Sequence, residues 1–216
     1  MTTLLRMQNV SVRRADRTIL DDINLDLDAG ERVVIRGAIG SGKTTLLLAA
    51  LGLLPHESGT IELLGSRCRS EKEFALKRAE IGLLFQDPDD QLLGPTVLED
   101  IEFGPLNLGW TAQHAHHAAD IALTKVGLAH LAERPIHEIS GGEKRLVALA
   151  GLLAMAPKVL LLDEPTVSLD EPSAQQILDI LRDSGLSMLI ATHDPFCIDS
   201  LATRCVVLQN GRIQSI

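Results

Sequence analysis

The segment GAIGSGKTT, residues 37 to 45, has the glycines, lysine and threonines of a phosphate-binding loop in the required spacing. It follows the apolar run VVI and precedes a helix-like apolar segment, which is the context that such a loop needs. Its glycines let backbone N–H groups approach phosphate oxygens, and a helix start adds the positive end of its dipole. We predict that Lys43 contacts the β- and γ-phosphates of a nucleotide and that the Thr44 hydroxyl binds Mg²⁺. The predicted nucleotide contacts of this loop are Gly37, Ala38, Ile39, Gly40, Ser41, Gly42, Lys43, Thr44 and Thr45.

Two acidic residues, Asp163 and Glu164, end the apolar run VLLL, and Pro165 prevents the strand from continuing. Asp163 is placed to hold Mg²⁺ through water. Glu164 is then the candidate general base, or the group that orients the attacking water. An acidic pair after a strand is usually a solvated turn. The phosphate-binding loop in the same chain favours the catalytic interpretation instead.

Gln86 and His193 follow two further apolar runs, IGLLF at 81 to 85 and MLIA at 188 to 191. Ligands of open parallel sheets collect at the carboxyl ends of the strands. Gln86 is therefore a candidate to bind Mg²⁺ or the attacking water. His193 is a candidate to form a hydrogen bond with the γ-phosphate. A purely structural histidine is the alternative interpretation of His193.

A second helix start lies in the segment ISGGE, where Ser140 and Glu143 have the S-x-x-E spacing of a capping box. The cap does not explain Gly141 and Gly142, because each glycine weakens a helix by roughly 1 kcal/mol relative to alanine. Backbone amides without side chains would suit the close approach of a phosphate. A helix cap without any ligand remains the alternative.

Lys144 and Arg145 follow this second helix start, and cations there oppose the helix dipole unless an anion is nearby. The chain thus has two helix starts suited to phosphate, but only the first has a lysine and candidate Mg²⁺ ligands. One solution is that the second start contacts a nucleotide held by another molecule.

These motifs require a sheet that brings several strand ends together. The four short apolar runs predict strands of a mostly parallel core sheet, buried on both faces. The first thirty residues have a nearly period-two apolar pattern and predict antiparallel strands, and QNGR at 209 to 212 predicts a closing hairpin. The fold class is therefore α/β.

The segment from about Asp87 to Met155 is rich in Pro and Gly at first and then helical in its periodicity, without a convincing buried strand. We expect one domain over residues 1–216. Within it, residues 1–86 and 156–216 form the nucleotide-binding core with its antiparallel β part, and residues 87–155 form an inserted helical subdomain that contains ISGGE.

Composition excludes several function classes. The formal charge of −9, the pI near 5.2 and an aromatic content of 2% argue against a general nucleic-acid binder. Three cysteines without C-x-x-C spacing indicate neither a disulfide framework nor a zinc site, which is typical of a reducing cytoplasm. The longest apolar stretch, LLLAALGLL, is too short to span a bilayer, so we expect any membrane role to come through a partner.

In their order along the chain, these motifs resemble the nucleotide-binding subunit of ATP-binding-cassette (ABC) transporters, over essentially the whole sequence. The resemblance implies a P-loop ATPase that uses ATP and Mg²⁺. It also implies a head-to-tail dimer, in which Ser140, Gly141 and Gly142 of one subunit cap ATP bound at Lys43 of the other. Asp170, in the segment SLD, would link the two sites. The resemblance further implies that the dimer partner is a second copy or a different ABC ATPase. It also implies that the chain binds integral transport subunits at the cytoplasmic face of the membrane.

Within this family, FQDPDDQLLGPTVLEDIEFGPLNLG is similar to ATPases of the energy-coupling-factor group, which power uptake of nickel or cobalt ions and of vitamins. The segments GPLNLG and ISGGEKR favour the nickel/cobalt branch.

The sequence departs from the family pattern at two places. The family usually has an aromatic residue that stacks on adenine near residues 12 to 14, where this chain has Val12, Arg13 and Arg14. Either Arg14 stacks through its guanidinium plane or base recognition is weak. Glu143 stands where glutamine is common.

Other interpretations stay open at this point. A soluble ABC ATPase that acts on DNA or ribosomes is disfavoured by the acidic charge. A P-loop kinase leaves ISGGE and His193 unexplained, and a non-hydrolysing nucleotide sensor does not need the acidic pair. His114 and His117 lie three residues apart on a probable helix and could share a metal ion, but a solvated helix face is the simpler interpretation.

Overall fold

The computed structural model describes residues 2–215, with the backbone alone for Ser215. Ten strands and seven α-helices lie along this described part of the chain. The strands are β1 Thr3–Arg14, β2 Arg17–Asp28, β3 Arg32–Arg36, β4 Ser58–Leu63, β5 Ser66–Cys68, β6 Ile81–Leu84, β7 Val159–Asp163, β8 Ser187–Ala191, β9 Arg204–Gln209 and β10 Arg212–Ser215. The α-helices are α1 Lys43–Ala50, α2 Glu71–Arg78, α3 Val97–Asn107, α4 Ala112–Lys125, α5 Gly141–Ala154, α6 Glu171–Asp183 and α7 Pro195–Leu201.

Six strands form the main sheet in the order β10-β9-β3-β8-β7-β6. The neighbours from β9 to β6 are parallel, and β10 pairs antiparallel with β9. Every residue of β7 and β8 is buried, because helices cover one face of the sheet and α1 with the antiparallel sheet covers the other. The four apolar runs are thus confirmed as parallel strands, and the QNGR hairpin is confirmed at the sheet edge.

A second sheet is antiparallel and has the order β2-β1-β4-β5. The sequence predicts β1 and β2 but misses the hairpin of β4 and β5. Its turn contains Leu64 and Gly65, with φ angles of 51° and 73°. Asn or Asp is usual at the first of these positions, so a leucine there conceals the hairpin from the sequence pattern. The turn is nevertheless stable because Ile61 and Leu63 are fully buried.

Between β6 and β7 the chain forms three α-helices, α3, α4 and α5, and the structure assigns no strand to residues 88–155. These helices share one apolar core with the face of the main sheet that carries Val34, Leu160 and Ile190. The opposite face carries Val33, Leu161 and Leu189 and packs against α1 and the antiparallel sheet. We propose residues 87–155 as the helical subdomain on this basis. No helix within residues 2–215 is long and apolar enough to cross a membrane.

Candidate active site

The loop between β3 and α1 has the conformation that a phosphate-binding loop requires. Gly42, at the N-cap of α1, has a φ of 103°, which disfavours any residue with a side chain. A Cβ atom at Gly37 would lie 2.6 Å from the Ser41 Oγ and 2.7 Å from the Leu208 carbonyl oxygen. The Lys43 ammonium lies inside the loop and donates a hydrogen bond to the Gly37 carbonyl over 3.0 Å. Backbone and side chain together therefore place a positive charge where the loop turns into the helix.

The carboxylate of Glu164 directly faces this lysine. Its Oε1 lies 3.4 Å from the Lys43 Nζ and 2.8 Å from the His193 Nδ1. Its Oε2 accepts hydrogen bonds from the Thr192 hydroxyl over 2.9 Å and from the His193 backbone N–H over 3.3 Å. Both carboxylate oxygens are thus held by partners. Glu164 is buried and has a φ of 46°, so the turn after β7 directs it back into the site.

Charge and burial oppose each other at Glu164. Burial alone would raise the pKa of the carboxyl group, but hydrogen bonds with His193 and Thr192 and the charge of Lys43 outweigh burial and lower it. Glu164 is consequently ionised at neutral pH in this structure. An ionised, oriented carboxylate is what a general base needs before it can accept a proton.

At Asp163, the last residue of β7, the effect of burial on the pKa exceeds the effects that oppose it. Burial raises the pKa of its carboxyl group, and the negative charge of Glu164 adds to this, although the Thr44 side chain and the charge of Lys43 act to lower it. Its buried Oδ1 atom has no hydrogen-bond partner among the described residues. A buried carboxylate oxygen without a partner, beside a threonine hydroxyl, fits a hard divalent cation that prefers oxygen ligands. The residues present therefore suit Mg²⁺.

One cleft of about 470 Å³ brings most of the predicted residues together. The Lys43 loop forms one wall, the strand ends of β6, β7 and β8 form the floor, and the end of β1 contributes Arg14. Arg13 points elsewhere, to within 3.9 Å of Glu57, so Arg14 is the arginine that faces the cleft. The lining residues are Arg14, Ile19, Ile39, Gly40, Gly42, Lys43, Thr44, Thr45, Gln86, Asp163, Glu164, Val167 and His193.

Three of the predicted loop residues, Gly37, Ala38 and Ser41, line a different cleft of about 780 Å³ between the loop and the β9–β10 turn. Ile39 and Gly40 contribute to both clefts, and Ile39 is 88% exposed. The loop therefore projects between two concave surfaces, with its lysine on the side of the acidic residues.

The second predicted helix start lies outside both clefts. The capping box is present: the Glu143 N–H donates to the Ser140 Oγ over 3.3 Å, and the Ser140 N–H donates to Glu143 over 2.7 Å. A Cβ atom at Gly141 would meet open space, whereas one at Gly142 would lie 3.3 Å from the Ser173 Oγ. Gly141 thus leaves backbone amides accessible, while Gly142 also has a packing reason within its own chain.

Asp170 is the N-cap of α6, and its side chain accepts a hydrogen bond from the Ser173 N–H over 3.1 Å. Like Ser140, Gly141, Gly142 and Glu143, it does not line the cleft that contains Lys43. Within a single chain, these five predicted nucleotide contacts are therefore separated from the other predicted residues.

The cations after the second helix start have partners that the sequence did not indicate. Lys144 forms an ion pair with Asp89 at 2.6 Å. Arg145 is buried and donates to the carbonyl oxygens of Phe85 and Gln86. These two residues therefore no longer argue for a phosphate at this helix start. Thr192 is a further residue that the sequence analysis missed, because nothing in ATHDP indicates a bond to Glu164.

The histidines of α4 make ordinary surface contacts. His114 stacks on Trp110 with ring centroids 4.3 Å apart. His116, between the two histidines of the predicted pair, lies 2.6 Å from Glu102. Within residues 2–215 no group of three or more His, Cys, Asp or Glu side chains is arranged to hold a metal ion.

Comparison with known proteins shows the family. The family model of the ABC transporter matches residues 20–167. A Haemophilus influenzae protein, an uncharacterized ABC transporter ATP-binding protein, is 47% identical over 205 residues, which cover 95% of this chain and 94% of that protein. The energy-coupling factor transporter ATP-binding protein EcfA of Methanosphaera stadtmanae is 40% identical, covering 99% of this chain and 78% of its own length. The cobalt import ATP-binding protein CbiO of Rhodobacter capsulatus is 43% identical, covering 90% and 71%.

Comparison with solved structures indicates the same family. CbiO1 from Clostridium perfringens, part of the transporter complex cbiONQ, superimposes with a TM-score of 0.89 at 34% identity, covering 99% of this chain and 88% of that one. The cassette MJ0796, in a dimeric post-hydrolysis state with ADP and Pi, has a TM-score of 0.85 at 26% identity and covers 98% of each chain. The cleft, the fold and these similarities lead to one conclusion: the chain belongs to the ABC transporter family.

Proposed function

We propose that this chain hydrolyses ATP in a head-to-tail dimer and that closure of the dimer energises import through a membrane partner. The observation that carries the proposal is the separation of two phosphate-binding features in one chain. Lys43 and the acidic residues share one cleft, while the helix start at Ser140 presents accessible amides outside it. Two chains arranged head to tail would combine one feature of each kind at each nucleotide.

In this proposal the residues of the cleft have distinct tasks. The loop amides and Lys43 bind the phosphates, so Lys43 exchanges its contact with Glu164 for one with the nucleotide. The water oxygen attacks the γ-phosphorus while the bond to the β-phosphate oxygen breaks, and Glu164 accepts the proton from that water. Thr192 and His193 orient Glu164 through the hydrogen bonds described above. The products are ADP and inorganic phosphate.

Thr44, Asp163 and Gln86 are the residues that would hold Mg²⁺. When bound, the ion supplies positive charge that neutralises the β- and γ-phosphate oxygens. The His193 ring remains half exposed at the edge of the cleft, where it can also contact a γ-phosphate. Arg14 is the proposed base contact, because its planar guanidinium can stack on adenine and it enters the cleft from the end of β1.

A surface on the helical subdomain suits the membrane partner. Leu93 and Phe103 are 71% and 49% exposed, and both lie between the Gln86 loop and the end of α3. Asp100 stabilises the turn that exposes Leu93, because its carboxylate accepts hydrogen bonds from the N–H groups of Leu93 and Gly94 over 2.6 and 2.7 Å. Apolar side chains held outward in this way favour a protein contact. The chain would then lie at the cytoplasmic face of the membrane.

Nickel or cobalt ions are the proposed cargo, in a system of the energy-coupling-factor type. The support is the similarity to a cobalt import ATPase and to CbiO1, together with the GPLNLG and ISGGEKR segments. In the proposal the transported ion contacts the membrane partner, and the ATPase contributes only the free energy of ATP hydrolysis. A vitamin uptake system of the same group is the second candidate, favoured by the similarity to EcfA.

The experiment that tests the proposal has two parts. The tagged chain is purified from detergent-solubilised membranes and the accompanying proteins are identified. We expect an integral membrane protein together with a small substrate-capture protein, and phosphate release without a phosphorylated acceptor. Copurification with nucleic acid or ribosomes instead would favour a soluble ABC ATPase. Cells with the complete system should then take up radioactive nickel or cobalt in an ATP-dependent manner.

The proposed docking surface for the membrane partner, which contains Leu93 and Phe103, is tested with a pair of variants. Leu93→Ser should release the membrane partner and leave the ATPase activity of the isolated chain unchanged. Ile121→Ser, on α4, changes an equally apolar side chain that is 56% exposed but lines a different cleft, together with Trp110 and Pro157. Loss of the partner with both variants, or with neither, would contradict the assignment of this surface.

A further inference from the structure

Helix α5 is fastened to the loop that contains Gln86 by a buried arginine. The Arg145 guanidinium donates one hydrogen bond to the Phe85 carbonyl over 3.1 Å and another to the Gln86 carbonyl over 2.6 Å. Bonds from a charged, planar donor to two acceptors restrain both distance and direction. Arg145 lies five residues after Ser140, so its Cα is about 7 to 8 Å along the helix from the N-cap.

Two neighbouring contacts strengthen the same attachment. Lys144 forms its ion pair with Asp89, three residues after Gln86. Gln91 donates to the Ala148 carbonyl over 3.2 Å, while its side-chain oxygen accepts a hydrogen bond from the Phe85 N–H over 3.2 Å. The segment 85–91 is therefore held against α5 at both of its ends. A displacement of α5 must displace this segment as well.

Stability alone does not account for an arginine at this position. Arg145 is 3% exposed, and within the described part of the chain it forms no ion pair at contact distance, although the charges of Asp87 and Asp163 act on it from farther away. Its Nε atom has no hydrogen-bond partner among these residues either. Burial of a guanidinium without a carboxylate in direct contact is unfavourable, and an apolar residue of similar size would avoid that cost.

Arg145 also lies close to the chemistry. It lines a cleft of about 530 Å³ together with Thr44, Gln86 and Asp163, three residues that are the proposed Mg²⁺ ligands. The hydrogen bonds of Arg145 within the described residues go to the backbone carbonyls of Phe85 and Gln86, so its directional contact fixes the position of Gln86, while its charge also acts on Asp163 from a greater distance.

We propose that Arg145 is a positioning residue that ties Gln86 to the start of α5. Through this attachment, a partner's nucleotide that is capped by Ser140 and Gly141 influences hydrolysis of the nucleotide in this chain's own cleft, which contains Gln86. The inference rests on the proposed function, since it requires that α5 contacts the nucleotide of a partner. It adds a physical link between the two nucleotides of the dimer.

The test compares Arg145→Gln, Gln86→Ala and the double variant in steady-state ATP hydrolysis by the full-length chain. Arg145→Gln should lower kcat by about 10- to 100-fold, because a small displacement of Gln86 is enough to misplace the reacting groups. The KM for ATP should change by no more than about twofold, because the phosphate-binding loop is untouched. Cooperativity in ATP should also decrease. Arg182→Gln on α6, which removes an exposed arginine paired with Asp179, is the matched control and should behave as wild type.

The double variant decides the mechanism. If Arg145 acts through Gln86, the double variant loses no more activity than Gln86→Ala alone, since coupled residues are non-additive. If the loss of activity in the double variant equals the product of the losses in the two single variants, the inference is wrong. Should Arg145→Gln unfold, as a thermal melt would reveal, Arg145→Lys replaces it in the same cycle, because one ammonium group cannot reproduce the two-pronged contact. A wild-type kcat for Arg145→Lys would equally overturn it. Absence of ATP hydrolysis by the wild-type chain would instead contradict the proposed function.

Discussion

The substitution Glu164→Gln examines the proposed general base with almost no change in shape. The carboxamide can place its oxygen toward the Thr192 hydroxyl and the His193 N–H, which donate over 2.9 and 3.3 Å, and its NH₂ group toward the His193 ring. Most hydrogen bonds of the site are thus retained. Two properties are lost: the ability to accept a proton from water, and the negative charge that lies 3.4 Å from the Lys43 Nζ.

These two losses have opposite consequences. Without a base, hydrolysis should fall by about 10²- to 10⁴-fold, which corresponds to about 3 to 5 kcal/mol in the activation barrier. ATP binding should be retained or strengthened, because Lys43 no longer has a competing carboxylate and the γ-phosphate no longer faces its charge. The variant should therefore accumulate as an ATP-bound dimer.

Single-turnover release of phosphate measures the first effect, and size-exclusion chromatography with ATP measures the second. In the wild-type chain without nucleotide, the lowered pKa of Glu164 means that the active carboxylate is lost only as the pH falls below its ordinary value of 4.5, so the acid limb of kcat/KM should lie below that value. Wild-type turnover of Glu164→Gln would refute the role of Glu164. Lost turnover without an ATP-dependent dimer would refute the head-to-tail arrangement.

Three further perturbations test the surroundings of this site. Thr192→Val removes a hydrogen-bond donor to the general base and should move the acid limb of kcat/KM upward, while Thr192→Ser should restore it. Gly141→Ala should raise the unfolding free energy by up to about 1 kcal/mol, because its Cβ meets open space, yet impair ATP-driven dimerisation; Gly142→Ala should show the second effect without the first. His114→Ala combined with His117→Ala should leave ATPase activity and ion uptake unchanged and cost about 0.5 to 1.5 kcal/mol of stability from lost stacking on the tryptophan. Abolished uptake with intact ATPase activity would show that these histidines bind the cargo.

The features that sequence analysis predicted are those whose interactions lie close together along the chain. The phosphate-binding loop needs a strand, six intervening residues and a helix start, and its glycines are recognisable from their spacing. The capping box at Ser140 likewise joins residues three positions apart. Buried parallel strands are equally recognisable, because burial on both faces requires uninterrupted apolar runs such as VLLL.

The β4–β5 hairpin, by contrast, depends on its pairing with β1. Its turn residues alone do not specify it, and only the neighbouring strand and the buried side chains of Ile61 and Leu63 make it stable. The sequence therefore predicts the antiparallel sheet in outline but misses half of its strands.

The contacts that organise the active site join residues far apart in the sequence. Thr192 and Glu164 are 28 positions apart, and Arg145 and Gln86 are 59 positions apart. Such pairs meet only after β6, β7 and β8 have aligned their carboxyl ends and α5 has packed beside them. The sequence by itself determined which chemical groups this protein has and the local turns that present them. The tertiary structure alone decided which of those groups meet, because strand order and helix packing set every long-range distance.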